Sequence, residues 1–196
     1  LCKKHKFDIV ICDLHLGADN KNGYELIEEL RTRRLISPTS VFILISADSA
    51  RPIVLGSIER RPDDFLIKPF SQVQLKSRIV RAWQKRQFLQ QAFSLIEQGE
   101  INSAIDHIEA LLDAPSHYKG HCEQLLVELY WRIKQPDKAL DVLRDYIDGK
   151  PVLWAQIAIG KTYLLLKEYE KAISIAKRTL KRNRFNADAH DILAQA

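Results

Sequence analysis

The chain has 196 residues, of which 46% are apolar, and a formal net charge of +5, enough for buried cores and too small a cationic excess to demand a nucleic-acid partner. No apolar run approaches the ~20 residues of a membrane span. Cys2, Cys12 and Cys122 are odd in number, far apart and outside any C-x-x-C pattern, which excludes a disulfide scaffold and predicts a reducing cytoplasm.

Taken in chain order, the first elements are three short apolar runs rich in β-branched residues: FDIVIC from Phe7, VFILI from Val41 and FLI from Phe65. They are too short for buried helices, so each predicts a strand buried on both faces. Helical stretches lie between them, and alternating strand and helix predicts a parallel sheet with its ligand site beyond the carboxyl ends of the strands. Asp13, Ser46 and Lys68 close the three runs, with Pro69 directly after the lysine. A carboxylate, a hydroxyl and an ammonium thus share one sheet edge.

The chemistry that suits this trio is phosphoryl transfer onto Asp13. A carboxylate attacking phosphorus needs its own charge and the incoming charge offset, and a lysine ammonium serves as a movable point charge. A small hydroxyl such as Ser46 donates a hydrogen bond to a phosphoryl oxygen that exists only after transfer. The Lys68-Pro69 bond is a candidate cis peptide that turns the lysine back over the strand edge, because prolyl bonds adopt cis at far lower cost than others.

The words FDIVICDLHL, NGYELIEELR, FILISAD and DDFLIKPF, spanning roughly residues 1–83, resemble the receiver domain of bacterial two-component response regulators. The resemblance implies a flavodoxin-like parallel sheet in which Asp13 accepts a phosphoryl group from a sensor histidine kinase, Ser46 senses it and Lys68 contacts it. It places Phe65 at the aromatic switch position, and His15 and Asp48 at the positions that modulate phosphoryl lifetime. It also implies Mg²⁺ held by Asp13, the backbone carbonyl of His15 and an acidic pair ending an earlier strand.

The sequence departs from that pattern twice. The loop from Asp13 to Gly23 is about two residues longer than usual and has Gly17 where proline is common. Only Leu1 to Lys6 precede the Asp13 strand, without a carboxylate, so the remaining metal ligands are absent and one carboxylate with one carbonyl makes a poor octahedral site. The start at Leu1 and the lack of methionine predict a piece of a longer chain, missing the receiver's first strand, first helix and second strand. In the family's strand order that loss exposes the strand from Phe7 to Cys12 at an edge. Its Ile9, Val10 and Ile11, with no lysine or proline inside, predict either a homodimer through that edge or an ordered segment covering it.

Beyond about Arg81 the pattern is helical throughout. Ser71 followed by Gln74 reads as a capping box, and neither glycine nor proline occurs from Ser71 to Gln98, which predicts a continuous or nearly continuous helix into the next domain. The alternative is a break near Lys85-Arg86-Gln87. Aligning NSAIDHIEALL, DKALDVLRDYI and EKAISIAKRTL sets Ala104, Ala139 and Ala172 at intervals of 35 and 33 residues, each preceded by twelve residues by Ala92, Val127 or Gly160. Gly99 and Pro136 mark turns within hairpins, and Pro115 and Pro151 lie between them. This period, with Gly160, Tyr163, Tyr169 and Ala172, resembles tetratricopeptide repeats, helical hairpins of about 34 residues.

The expected architecture is therefore α/β plus all-α: residues 1–83 form a partial receiver, and residues 84–196 form a solenoid of about three repeats with the start of a fourth from Ala189. The solenoid lacks a polar cap, which predicts that it continues beyond Ala196. Leu126, Val127, Tyr130 and Ile133 form the packing stripe of one helix, while Gln124, Glu128 and Trp131 share its other face. With Trp154 and Lys161 of the next hairpin they are candidates for a groove binding a protein or peptide. The alternative is that the two tryptophans fill gaps between hairpins.

Three weaker patterns carry structural readings. Gly160-Lys161-Thr162 ends like a phosphate-binding loop, but Ala155 stands where the first glycine is needed and the setting is helical. His117, His121 and Cys122 lack a fourth metal ligand. The basic stretches 76–86 and 177–184 read as solvated helix faces. The sequence thus predicts a bacterial cytoplasmic response regulator, not a turnover enzyme, whose receiver controls a protein-interaction module; the alternative is a constitutive scaffold with a vestigial, unphosphorylated receiver.

Overall fold

A strand without water on either face needs strands on both sides and helices above and below, and the residues around Val41 are built that way. The structure, a computed structural model, describes residues 5–17, 21–47, 61–149 and 151–196, and the chain separates into two units, residues 1–107 and 108–196.

The first unit runs β1 (Ile9–Asp13), α1 (Gly23–Thr32), β2 (Val41–Ser46), β3 (Asp64–Ile67), α2 (Gln72–Phe88) and α3 (Gln90–Gln98), and reaches into α4 (Ile101–Leu112). The three strands are parallel in the order β1-β2-β3, with Ile9 opposite Val41, Asp13 opposite Ile45 and Ser46 opposite Ile67. Alternation along β2 divides the core. Phe42 and Leu44 join Cys12, Leu14, Ile27, Leu30 and Ile36 around α1, while Val41 and Ile43 meet Ala82, Ile79 and Trp83 of α2.

Burial on both faces holds for β2 but not for β1 or β3, where only Leu66 is buried and Ile67 is 42% exposed. Ile9 and Ile11 are 39% and 42% exposed, because α2 packs on β2 and β3. Among the described residues β1 is also a sheet edge.

Both helices flanking the sheet start at full capping boxes. Asn22 accepts from the Tyr24 and Glu25 amides while Glu25 accepts from the Asn22 amide, and Ser71 and Gln74 exchange the same pair of bonds. The helix leaving the sheet is nearly continuous: Leu89 alone separates α2 from α3, and the bonds Leu89 N–H to Lys85 and Phe93 N–H to Leu89 carry the ladder across. The interruption lies beyond Lys85-Arg86-Gln87. The first unit also extends past residue 83, to residue 107. The Arg86 guanidinium lies 4.1 Å from the Phe93 ring centre and Arg34 donates to the Glu97 carbonyl at 2.7 Å, so α3 is tied to the sheet-bearing unit.

The second unit contains the end of α4, then α5 (Lys119–Arg132), α6 (Pro136–Val142), α7 (Arg144–Ile147), α8 (Leu153–Leu165), α9 (Tyr169–Arg182) and α10 (Ala187–Gln195). α5 packs on α6, α8 on α9, and α10 on both α8 and α9. Val127, Ala139, Gly160 and Ala172 are buried where these helices meet, and a β-carbon at Gly160 would stand 2.8 Å from Ile192 of α10.

Several helices end in the same backbone closure. After α3, α5 and α8, as after α1 at Arg34, the chain turns through a left-handed residue, Gly99, Lys134 or Lys167, with φ of 85°, 57° and 60°. Each turn makes the same two bonds: Lys134 to Trp131 O with Gln135 to Tyr130 O, and Lys167 to Leu164 O with Glu168 to Tyr163 O, as Gly99 to Ile96 O with Glu100 to Leu95 O. These are Schellman closures, for which glycine is the favoured residue. Left-handed φ costs a side-chain-bearing residue ~1–2 kcal/mol, and glycine's extra unfolded-state entropy returns part of that. Lys167→Gly is therefore expected to stabilise by ~0.5–1 kcal/mol, read as a higher urea midpoint with unchanged helical circular dichroism.

Candidate functional site

The parallel register brings the predicted trio together. Asp13 ends β1, Ser46 ends β2, and Lys68 follows β3 directly, so all three stand at the carboxyl edge of adjacent strands. The Lys68 amide donates to the Ser46 carbonyl at 2.7 Å and the Lys68-Pro69 peptide is cis. The lysine side chain returns over the edge, and its ammonium donates to Asp13 Oδ2 at 2.5 Å. The His15 amide donates to Oδ1 at 3.1 Å. The Lys68 ammonium, followed by the His15 amide, holds the Asp13 carboxyl below the usual carboxylate range.

Ser46 is fully buried beneath this edge. Phe65, at the predicted switch position, packs partly buried against the Leu44 cluster. His15 itself is exposed, and it meets Asp13 through its backbone. Asp48, and the predicted helix over residues 52–60, lie outside the described residues.

A glycine fixes the floor of the site. The Gly23 amide donates to the Leu14 carbonyl at 2.9 Å, and a β-carbon there would stand 2.8 Å from the Asp13 carbonyl oxygen and 2.5 Å from Leu44 Cδ2. Only a residue without a side chain lets α1 start this close to the strand that ends in Asp13.

Magnesium fits these residues poorly. Asp13 is the one carboxylate at the edge described here, it is engaged by Lys68, and no group of three His, Cys, Asp or Glu side chains able to hold a metal occurs among the described residues. Octahedral oxygen ligation needs more than one carboxylate and one carbonyl.

The groove candidates divide. The Trp131 indole N–H donates to Thr162 Oγ1 at 3.1 Å, the Trp154 ring meets Tyr146 edge to face at 5.1 Å, and the Lys161 ammonium donates to Asp188 at 2.7 Å. All three bind neighbouring helices, as expected of residues filling gaps between hairpins. Gln124 and Glu128 are half-buried on α5. Gly160, Lys161 and Thr162 lie within α8, with Thr162 donating to the Ala158 carbonyl, so the phosphate-loop pattern is helical. Burial pushes the Cys122 thiol up to about 11, as for an inert core cysteine.

Two buried polar groupings were not foreseen. One is Asp63 with Arg31 and Arg86. The other is Glu123, buried on α5, which accepts from the Tyr146 hydroxyl at 2.5 Å and with burial drives that phenol upward. A charged residue inside an apolar stripe, as Glu123 is between Cys122 and Leu125, was the available sign of the second; adjacent Asp63 and Asp64 gave none for the first.

Residues 1–80, the span that holds the sheet and its carboxyl edge, match the family model of the response regulator receiver domain. Two curated relatives, each named alginate biosynthesis transcriptional regulatory protein AlgB, match over 110 residues: that of Pseudomonas putida is 27% identical and that of Pseudomonas syringae pv. tomato 26%. The match covers 56% of this chain and 23% of either relative, so the chain spans about a quarter of their length.

Two substitutions test the geometry. Lys68→Met removes the main source of the Asp13 shift, so the Asp13 carboxyl should titrate at higher pH, rising toward the ordinary range; carbonyl-carbon NMR would read the change, and an unmoved titration would contradict the contact. Gly23→Ala forces α1 away from Asp13 and Leu44, with an expected loss of ~1–3 kcal/mol in urea unfolding.

Proposed function

We propose that this protein is a phosphorylation-controlled response regulator of a two-component system, acting in the bacterial cytoplasm, in which the receiver governs a tetratricopeptide-type module that binds a protein or peptide. The observation that carries the reading is the Lys68 ammonium on the Asp13 carboxylate, with Ser46 ending the strand between them. A carboxylate held ionised by a cation is ready to attack phosphorus, and the same cation follows the charge onto the phosphoryl oxygens.

In the proposed step a carboxylate oxygen of Asp13 bonds to the phosphorus of a phosphohistidine on the kinase. The P–N bond breaks, the imidazole keeps the electron pair and regains a proton from water, and Asp13 becomes an acyl phosphate. Lys68 pairs with a phosphoryl oxygen and the Ser46 hydroxyl turns to donate to another. Phe65 reports the change, and His15 and Asp48 set its lifetime. Mg²⁺, when bound, supplies charge neutralisation on the phosphoryl oxygens; Asp13 and the His15 carbonyl are the ligands this chain offers.

The interaction module is supported by the period of 35 and 33 residues, the recurrent turn at Gly99, Lys134 and Lys167, and the pairing of α5 with α6 and α8 with α9. A constitutive scaffold with a vestigial receiver is the competing reading, favoured by the single carboxylate at the described site.

Intact mass spectrometry with acetyl phosphate and Mg²⁺ separates the two. The expected result is one phosphate added to the wild type and none to Asp13→Asn. Equal labelling of both would remove Asp13 as acceptor, and labelling of neither would favour the scaffold.

A further inference from the structure

At the opposite end of the sheet from Asp13, one aspartate meets three cations, two through its carboxylate and one through its backbone carbonyl. Asp63 directly precedes β3; its Oδ1 accepts from Arg86 Nε at 2.6 Å, and its Oδ2 accepts from the Phe42 amide at 2.8 Å. Arg31 Nη2 stands 3.5 Å from Oδ2, and the Lys85 ammonium donates to the Asp63 carbonyl at 3.1 Å. The Arg31, Arg86 and Asp63 side chains are 8%, 2% and 4% exposed.

The two guanidiniums are unequally served. Arg86 has the short bond to Asp63, a bond to the Pro38 carbonyl at 3.0 Å and the Phe93 ring beneath it. Arg31 donates to the Ser40 carbonyl at 2.9 Å, but its buried Nε has no hydrogen-bond partner among the described residues. Burial, then the neighbouring Arg86 charge, pulls the Arg31 guanidinium down to about 9. A buried donor without an acceptor is costly, and a carboxylate prefers a paired fork to a loose single contact. A second arrangement, with Asp63 closed on Arg31 and withdrawn from Arg86, would offer that donor an acceptor.

β3 links this cluster to the phosphoacceptor. It carries Lys68 at one end and Asp63 at the other, ~16 Å apart along an extended strand, and the Asp63 and Lys68 amides both bond to β2 carbonyls at 2.7 Å. Arg86 in turn is the cation held over Phe93 of α3.

Building on the proposed phosphorylation of Asp13, we propose that the Asp63 cluster is a two-position joint: the shift of Lys68 from the Asp13 carboxylate to a phosphoryl oxygen lets β3 carry Asp63 from Arg86 toward Arg31, which frees α3 from the receiver. Two discrete pairings of one carboxylate supply the bistable element that coupling over such a distance requires.

Hydrogen exchange of α3 in the full chain, read by mass spectrometry, tests the joint in two arms. With acetyl phosphate and Mg²⁺, and with occupancy of Asp13 confirmed by intact mass, α3 exchange in wild type should rise about fivefold or more. Lys68→Ala should produce the same rise without phosphate. Arg31→Met removes the second position and should abolish both responses, whereas Arg86→Met should leave α3 exchanging fast in every state. An unchanged α3 on phosphorylated protein, or Arg31→Met responding as wild type does, overturns the joint. Absence of label on Asp13 counts against the phosphorylation reading instead, and the Lys68→Ala arm, with and without Arg31→Met, still decides whether the joint exists.

Discussion

Val41, Phe42, Ile43 and Leu44 have no accessible surface, and a strand dried on both faces can satisfy its backbone only through neighbouring strands. The rest of the first unit follows from that requirement. β1 and β3 must lie parallel on either side of β2, α1 must cover Phe42 and Leu44, and α2 must cover Val41 and Ile43. Because the strands are parallel and in register, their carboxyl ends fall together, and the residues that end them meet without any further device. The site is a by-product of how β2 is buried.

The same register explains why the amino end of the sheet is also charged. Where β2 and β3 begin, the Phe42 amide donates to the Asp63 carboxylate and the Asp63 amide to the Phe42 carbonyl, while the Pro38 and Ser40 carbonyls accept from long cations of α2 and α1. Arg31 and Arg86 thus satisfy backbone carbonyls that a short apolar side chain would leave bare. They bring two buried charges with them, and Asp63 is the carboxylate that offsets those charges. Buried ion clusters of this kind contribute little net stability compared with apolar packing. What this one adds is a fixed orientation of α2 and α3 on the sheet.

The strands, their parallel order and the trio at their ends were legible because they rest on local patterns: β-branched runs, the polar residue after each, and a proline beside the lysine. The hairpin period was legible for the same reason, since small residues recur where helices cross. What escaped the sequence depends on pairs far apart in it. Asp63 meets Arg31 and Arg86 across 32 and 23 residues, and nothing near any of them announces the partner. The unit boundary was displaced for a related reason: the helical pattern changes near residue 83, but Phe93 and Glu97 are claimed by Arg86 and Arg34, and side-chain contacts decide which unit a helix joins. Exposure of Ile9 and Ile11 was equally invisible, because an apolar run reads the same whether or not a helix covers it.

In the second unit, polar side chains do work that apolar ones do elsewhere. Trp131 bonds Thr162, Tyr146 bonds Glu123 and Arg178 bonds Gln156 at 2.6 Å, so successive helices are tied by directional bonds as well as by packing. Small residues such as Ala155, Ala158, Gly160 and Ala172 bring helices close but give little shape to fix their register; a slip of one turn would break each of these part-buried directional bonds. Helix spacing in this unit is therefore set by alanine and glycine, and helix register by the tryptophan, tyrosine and arginine bonds. The half-buried Trp131 and Trp154 rings thus take part in the stacking of the helices.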